Sequence, residues 1–319
     1  MIAVLTPNPA LDVTYRTPAI ALGAVNRVQV VRRQAGGKGV NVAQVLRQLG
    51  VSPLSVLPLG GPTGERVRSE MLELGHRVLV VDLAEETRTT VVVDSGAAEA
   101  TGLYERGPMV SADEWSALTE HVLGATKAGD LLVVSGSLPP GVTPETLAAL
   151  VRAASAAGRA TLVDSSGDAL EHAARAGADY VKPNQHELRE VTGESDWRSG
   201  AATLRAWGAG TVVVSLGKDG LARVDDSGIT VVTGIPTLQG NPTGAGDATV
   251  AALAFGIDRD GVLSDETLQR AAACGAAAVL SPTAGAIDLA QVATFVAHTQ
   301  LKENEVATSI DADGPAIEG

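Results

Sequence analysis

Short apolar runs and amphipathic stretches alternate through the middle of this chain. Leu131-Leu132-Val133-Val134 has the length of a parallel strand buried on both faces. Thr143 and Pro144 then mark a helix start, the hydroxyl residue as N-cap and proline in the first turn, where it has no hydrogen bond to lose. Leu147, Leu150, Val151 and Ala154 recur at helical spacing, and Gly158 ends the helix. The pattern predicts a strand at Ala160–Val163, a helix near Ala201–Trp207 and a strand at Thr211–Ser215. At the start, Met1–Leu5 reads as a buried first strand that stops at Thr6-Pro7-Asn8-Pro9. Such alternation predicts an α/β fold: three α/β/α layers around a mainly parallel sheet. Two stretches break it. Residues 13–33 and 89–104 are β-rich but lead into no helix, so they are expected to form a small β-sheet lid on a single domain of residues 1–298. Residues 300–319 hold five acids and one lysine without helical period, and are expected to be a disordered acidic tail.

Composition changes this picture only by exclusion. The 24 basic and 37 acidic side chains give a net charge of −13, against the basic excess of a nucleic-acid binder. One cysteine, Cys274, allows neither an internal disulfide nor a paired-cysteine zinc site, and its Ala-rich surroundings predict a small buried residue. His76, His121, His172, His186 and His298 share no metal spacing and are expected at the surface. No apolar run reaches the length of a membrane span and no targeting segment is visible. The expectation is a cytoplasmic protein without nucleic-acid or membrane partners.

Two glycine-rich turns carry candidate chemistry. In Asn241-Pro242-Thr243-Gly244-Ala245-Gly246-Asp247 small residues lead into the helical run 248–255. Free N–H groups and the positive end of the helix dipole converge there, a site for phosphate or a developing anion. Asp247 stands beside it, able to take a proton from a hydroxyl or merely to cap the helix. In Gln34-Ala35-Gly36-Gly37-Lys38-Gly39-Val40-Asn41 the glycines permit close approach to a polyol, Asn41 offers donors and an acceptor, and Lys38 adds charge. A purely structural turn fits that segment equally well. It is neither a Walker loop nor a dinucleotide fingerprint.

Together these segments resemble the two signatures of the ribokinase (PfkB) superfamily. Further matches fall in order: Thr6–Asp12, Gly23–Val28, Glu86–Thr89, Ser135–Gly141 (with Ser137), Lys182–Glu187 and Ser215–Gly220. The resemblance covers roughly residues 1–298 and is closest to the branch of 1-phosphofructokinases and tagatose-6-phosphate kinases. It implies a ribokinase-like carbohydrate kinase. Asp247 would be the base, and the amides of Gly244, Ala245 and Gly246 the anion hole. Asp12, Gly37, Asn41 and Ser137 would contact the sugar, while Arg27, Lys38 and Arg88 would bind its phosphate. Lys182, Asn184, Glu187, Ser215, Gly217, Gly220 and Thr243 would line the nucleotide. ATP with Mg²⁺ is implied, the metal held mainly by phosphates and reached by Glu187 through water. Asn184 and Glu187 also spell a helix capping box. A homodimer through the lid strands is implied as well.

The substrate expected first is fructose 1-phosphate, with tagatose 6-phosphate close behind. Asn241-Pro242 leans toward the tagatose type. A neutral sugar or nucleoside is the alternative. A binding module without catalysis would need a broken site, and Asp247 with its glycines is intact.

Overall fold

The computed structural model describes residues 1–95, 100–235, 238 and 240–305. The chain opens with β1 (Ile2–Leu5), then leaves the main plane for β2 (Ala10–Arg16) and β3 (Gln29–Gly36). Helix α1 (Lys38–Gln48) returns it to β4 (Leu54–Leu59), and α2 (Gly61–Glu73) leads to β5 (Arg77–Asp82). Strands β6 (Arg88–Asp94) and β7 (Thr101–Tyr104) rejoin β2 and β3. After α3 (Ala112–Ala125) come β8 (Leu131–Ser135), α4 (Pro144–Ala156), β9 (Ala160–Asp164), α5 (Asp168–Arg175), β10 (Tyr180–Val181), α6 (Gln185–Thr192), α7 (Trp197–Trp207) and β11 (Thr211–Ser215). The hairpin β12 (Gly220–Asp225) and β13 (Gly228–Thr233) precedes α8 (Ala245–Asp260), α9 (Asp265–Val279), α10 (Leu289–His298) and β14 (Leu301–Glu305).

The large sheet has the order β14-β13-β12-β11-β10-β9-β8-β1-β4-β5, parallel from β11 to β5 and antiparallel beyond β11. Both faces are buried, which explains continuous apolar strands rather than alternating ones. In β1, Ala3 and Leu5 belong to the core layer that holds Trp115, Leu147 and Leu204, whereas Ile2 and Val4 belong to the layer on the opposite face with Val45, Val250 and Leu268. Cys274 lies buried in that second layer, and burial pushes its thiol up to about 12. Thr143 caps α4 by accepting the Thr146 N–H, as its sequence predicts.

The small sheet runs β3-β2-β6-β7. Leu11 and Val13 pack against Val67 and Met71 of α2, which covers one face. Val30 and Val31 of β3 and Leu103 and Tyr104 of β7, on the sheet's two edge strands, stay exposed. The β-rich stretch expected over 13–33 is interrupted, because residues 17–28 form no strand. The first residues of the expected tail form a strand, β14. Leu301 and Lys302 extend the open edge of β13, pairing with Val232 and Val231, and residues 306–319 lie outside the described residues.

His76 departs from the expected surface position. It is 6% exposed, its Nδ1 has no partner, and burial, then the nearby Arg47 guanidinium, lowers its pKa from 6.5 to about 4. The depressed value sets the sign: stability present above pH 6.5 is lost as pH falls through about 4. Melting temperature should therefore drop faster over that window in the wild type than in His76→Phe. Parallel melting curves would show that burying the imidazole carries no proton linkage.

Candidate active site

A cleft of about 910 Å³ lies at the carboxyl ends of the parallel strands, bordered by the small sheet. This is where open α/β sheets receive ligands. Its lining gathers Asp12, Gly37, Lys38, Asn41, Arg88, Lys182, Asn184, Glu187, Ser215, Gly217, Gly220, Thr243, Gly244, Ala245, Gly246 and Asp247. Two expected residues are not there. Ser137 is exposed beyond β8, and Arg27 is exposed in the strandless 17–28 segment. Motif position put Arg27 beside Arg88, but it does not line this cleft.

The turn before α8 explains its glycines. Gly244 is the N-cap with φ 87°, a left-handed backbone, and an added Cβ would stand 2.9 Å from Ala284 Cα. No side chain caps this helix, so its first N–H groups stay available to an anion. Asn241 Oδ1 holds the turn by accepting the Thr243 N–H at 3.0 Å. One expected anion-hole amide is already engaged: Ala245 N–H donates to Pro242 O at 3.1 Å. Within the expected set, that leaves the amides of Gly244 and Gly246.

Asp247 sits in the first turn of α8, 6% exposed, where its Oδ2 accepts from Asn41 Nδ2 at 2.8 Å. Burial, then the charge of Asp164, raises its pKa from 3.8 to about 6 despite that bond and despite Lys38 and Lys182. The carboxyl is thus ionised at neutral pH, yet more basic than a surface aspartate. Asp164, buried at the end of β9, is the complementary case. Burial would raise its pKa, but Lys182 at 3.1 Å and Lys38 at 3.5 Å outweigh it and hold the carboxyl below its ordinary value. Lys38 also reaches Glu187 at 3.9 Å, and its pKa is raised, chiefly by Asp164. Its ammonium therefore stands among carboxylates at the cleft centre. That differs from the expected role beside a sugar phosphate. Glu187 and Asn184 form the complete capping box of α6 while still facing the cleft.

On the small-sheet side, Asp12 accepts from Thr90 Oγ1 at 2.5 Å, and burial raises its pKa. Arg88, at the start of β6, donates to Asn8 O at 2.9 Å and Glu105 O at 3.1 Å, while its Nε is buried without a partner. Those two carbonyls fix the guanidinium in the cleft wall. The far end of the cleft is apolar, built from Leu221 and from Ala272, Gly275, Ala276 and Val279 on α9. Asp164, Thr90 and these α9 positions are cleft residues beyond those expected from sequence. Asp164 had one available signal, an acid ending an apolar parallel strand.

Among the described residues, no group of three or more His, Cys, Asp or Glu could hold a metal ion, and no helix is long and apolar enough to cross a membrane. A buried carboxylate in the first turn of an uncapped helix, with fixed cations in the same cleft, is the arrangement phosphoryl transfer requires. The family model for pfkB family carbohydrate kinases matches residues 9–290, and the chain belongs to that family. It is therefore a carbohydrate kinase, with ATP as phosphoryl donor. It is 37% identical over 288 residues to the ATP-dependent 6-phosphofructokinase isozyme 2 of Escherichia coli (strain K12), covering 87% of this chain and 92% of that one. It is 31% identical over 284 residues to a tagatose-6-phosphate kinase of Staphylococcus epidermidis, covering 86% and 91%. The tetrameric inhibited form of Escherichia coli phosphofructokinase-2 superposes with TM-score 0.86 at 33% identity, over 93% of this chain and 98% of that one. The fold is ribokinase-like, as the signatures implied.

Proposed function

We propose that this kinase phosphorylates a ketohexose monophosphate to the bisphosphate. The observation that carries the reading is the placement of Asp247 and Arg88 in one cleft, a raised-pKa carboxylate and a fixed guanidinium. Asp12, Gly37 and Asn41 hold the sugar hydroxyls, and Arg88 binds the phosphate already present. Asp247 takes the proton from the attacking hydroxyl as the amides of Gly244 and Gly246 receive the charge of the moving phosphoryl group. Lys38 and Lys182 offset the negative charge that ATP brings to Asp164 and Glu187. The nucleotide phosphates lie by Lys182, Asn184, Ser215, Gly217 and Thr243, with Gly220 nearer the base in the apolar end.

Beside fructose 1-phosphate, the first expectation from sequence, we favour a 6-phosphate as substrate. Both curated relatives described above are named for 6-phosphate chemistry, and the acceptor is then the C1 hydroxyl. Magnesium fits this site in a particular way. The cleft carries Asp164 and Glu187 but, among the described residues, no protein cage, which suits an ion that keeps phosphate and water ligands. Such an ion would neutralise phosphate charge, with Glu187 ordering its water.

An ADP-release assay across fructose 6-phosphate, tagatose 6-phosphate, fructose 1-phosphate, fructose and ribose tests the reading. The 6-phosphates should give the highest kcat/KM, and excess EDTA should silence the reaction. A neutral sugar outperforming every phosphate would overturn it, and full activity in EDTA would remove the metal.

The exposed Val30, Val31, Leu103 and Tyr104 on the small sheet, with Leu22 and Val25 nearby in sequence, support a homodimer in which that sheet is both lid and interface. Sedimentation should show a dimer at micromolar protein. A fully active monomer there would exclude this assembly.

A further inference from the structure

The face of α1 that turns toward α8 carries more polar side chains than the sugar site uses. Asn41, Gln44 and Gln48 lie three, four and seven positions apart, so they share one side of the helix. Asn41 holds Asp247. Gln48 holds something else. Its Nε2 donates to Gly285 O at 2.8 Å and to Gln44 O at 3.0 Å, and its Oε1 accepts from Ile287 N at 2.9 Å. One carboxamide thereby bonds the 283–287 loop from both sides.

That loop is the backing of the anion-hole turn. Ala284 lines the cleft and stands against Gly244, the N-cap of α8. Gly285 has φ 76°, and an added Cβ would meet Gln44 Oε1 at 2.3 Å and Asn41 Oδ1 at 3.2 Å, so the loop is seated directly on α1. The base and the wall behind the anion hole are thus both referenced to one helix, through Asn41 and Gln48.

We propose that Gln48 is a positioning residue for phosphoryl transfer: it fixes the 283–287 loop, and through Ala284 the Gly244 turn, in register with Asp247. The inference rests on the reading of Asp247 and the Gly244 turn as the transfer centre. A loosened loop lets the turn drift from the carboxylate. The cost falls on the step in which charge moves between them, because transfer geometry tolerates little displacement. The sugar's contact at Asp12 and the base's at α9 lie on other elements than this loop.

Gln48→Met keeps the shape of the side chain and removes both loop bonds. Gln48→Glu keeps the acceptor for Ile287 N–H but sets a carboxylate against Gly285 O. Both sit in the last turn of a helix that tolerates either residue, and Gln48→Glu serves if Gln48→Met folds poorly. Each should lower kcat by roughly 10-fold or more, about one hydrogen bond's worth of geometry, with KM for sugar phosphate and ATP within about twofold. Assays are run well below the measured melting temperature and normalised to folded protein. Unchanged kcat would overturn the proposal, as would kcat and both KM values worsening together in step with a lower melting temperature. Asp247→Asn in the same series separates the two layers. If it collapses while Gln48→Met does not, only the positioning role fails; if it keeps activity, the transfer centre itself is misplaced.

Discussion

Asp247→Asn should lower kcat by about 100- to 10,000-fold, the usual cost of losing a general base, while ATP and sugar-phosphate affinities change little. The neutral amide occupies the same volume, and its oxygen can still accept from Asn41. Folding should not suffer. A carboxyl whose folded pKa is raised to about 6 opposes the folded state once ionised, so at neutral pH the amide removes a cost. An equal or higher melting temperature would show that lost turnover is not unfolding. In the wild type, kcat should fall as pH drops through about 6, because protonation removes the base. A variant within about threefold of wild type in kcat, with transfer shown to be rate-limiting, would take Asp247 out of this role.

Arg88→Ala should raise KM for the sugar phosphate by about 10- to 150-fold and leave KM for ATP nearly unchanged. A hydrogen bond to a charged group contributes roughly 1.5–3 kcal/mol, which sets that range. The phosphate dianion sheds water on entering the cleft, and only fixed donors replace it. Arg88 is fixed by the carbonyls of Asn8 and Glu105. Turnover of unphosphorylated fructose should barely move, since that substrate never uses the guanidinium. Equal losses on fructose and fructose 6-phosphate would make Arg88 a brace of the small sheet and remove the physical basis for a phosphorylated substrate.

Much of this was readable from local sequence. Gly244 and Asp247 declare themselves because a turn and the helix it opens are built from neighbouring residues. The same holds for Thr143 and for the Asn184–Glu187 box. The buried parallel strands are legible because both faces are covered, so apolar residues run without alternation. What was not legible depends on distant segments meeting. Asp164 is an ordinary acid at a strand end until Lys38 and Lys182 reach it from α1 and from beyond β10. Ala272, Gly275 and Ala276 look like close helix packing, and only the fold turns that face toward the cleft. Arg27 is the opposite case: its motif falls in order, yet it is exposed in a strandless segment and is not among the cleft-lining residues. Lys38 was expected beside a sugar phosphate, and sequence gives its charge without the carboxylates of Asp164 and Glu187 that pair with it.

The central claim, that one cleft reads a phosphate at Arg88 and transfers a second phosphoryl group at Asp247, is most directly tested by phosphorus NMR of the products from ATP and fructose 6-phosphate. Two phosphomonoester signals on one sugar should form in step with ADP, with no free phosphate. ADP appearing with free phosphate and an unaltered sugar phosphate would contradict it.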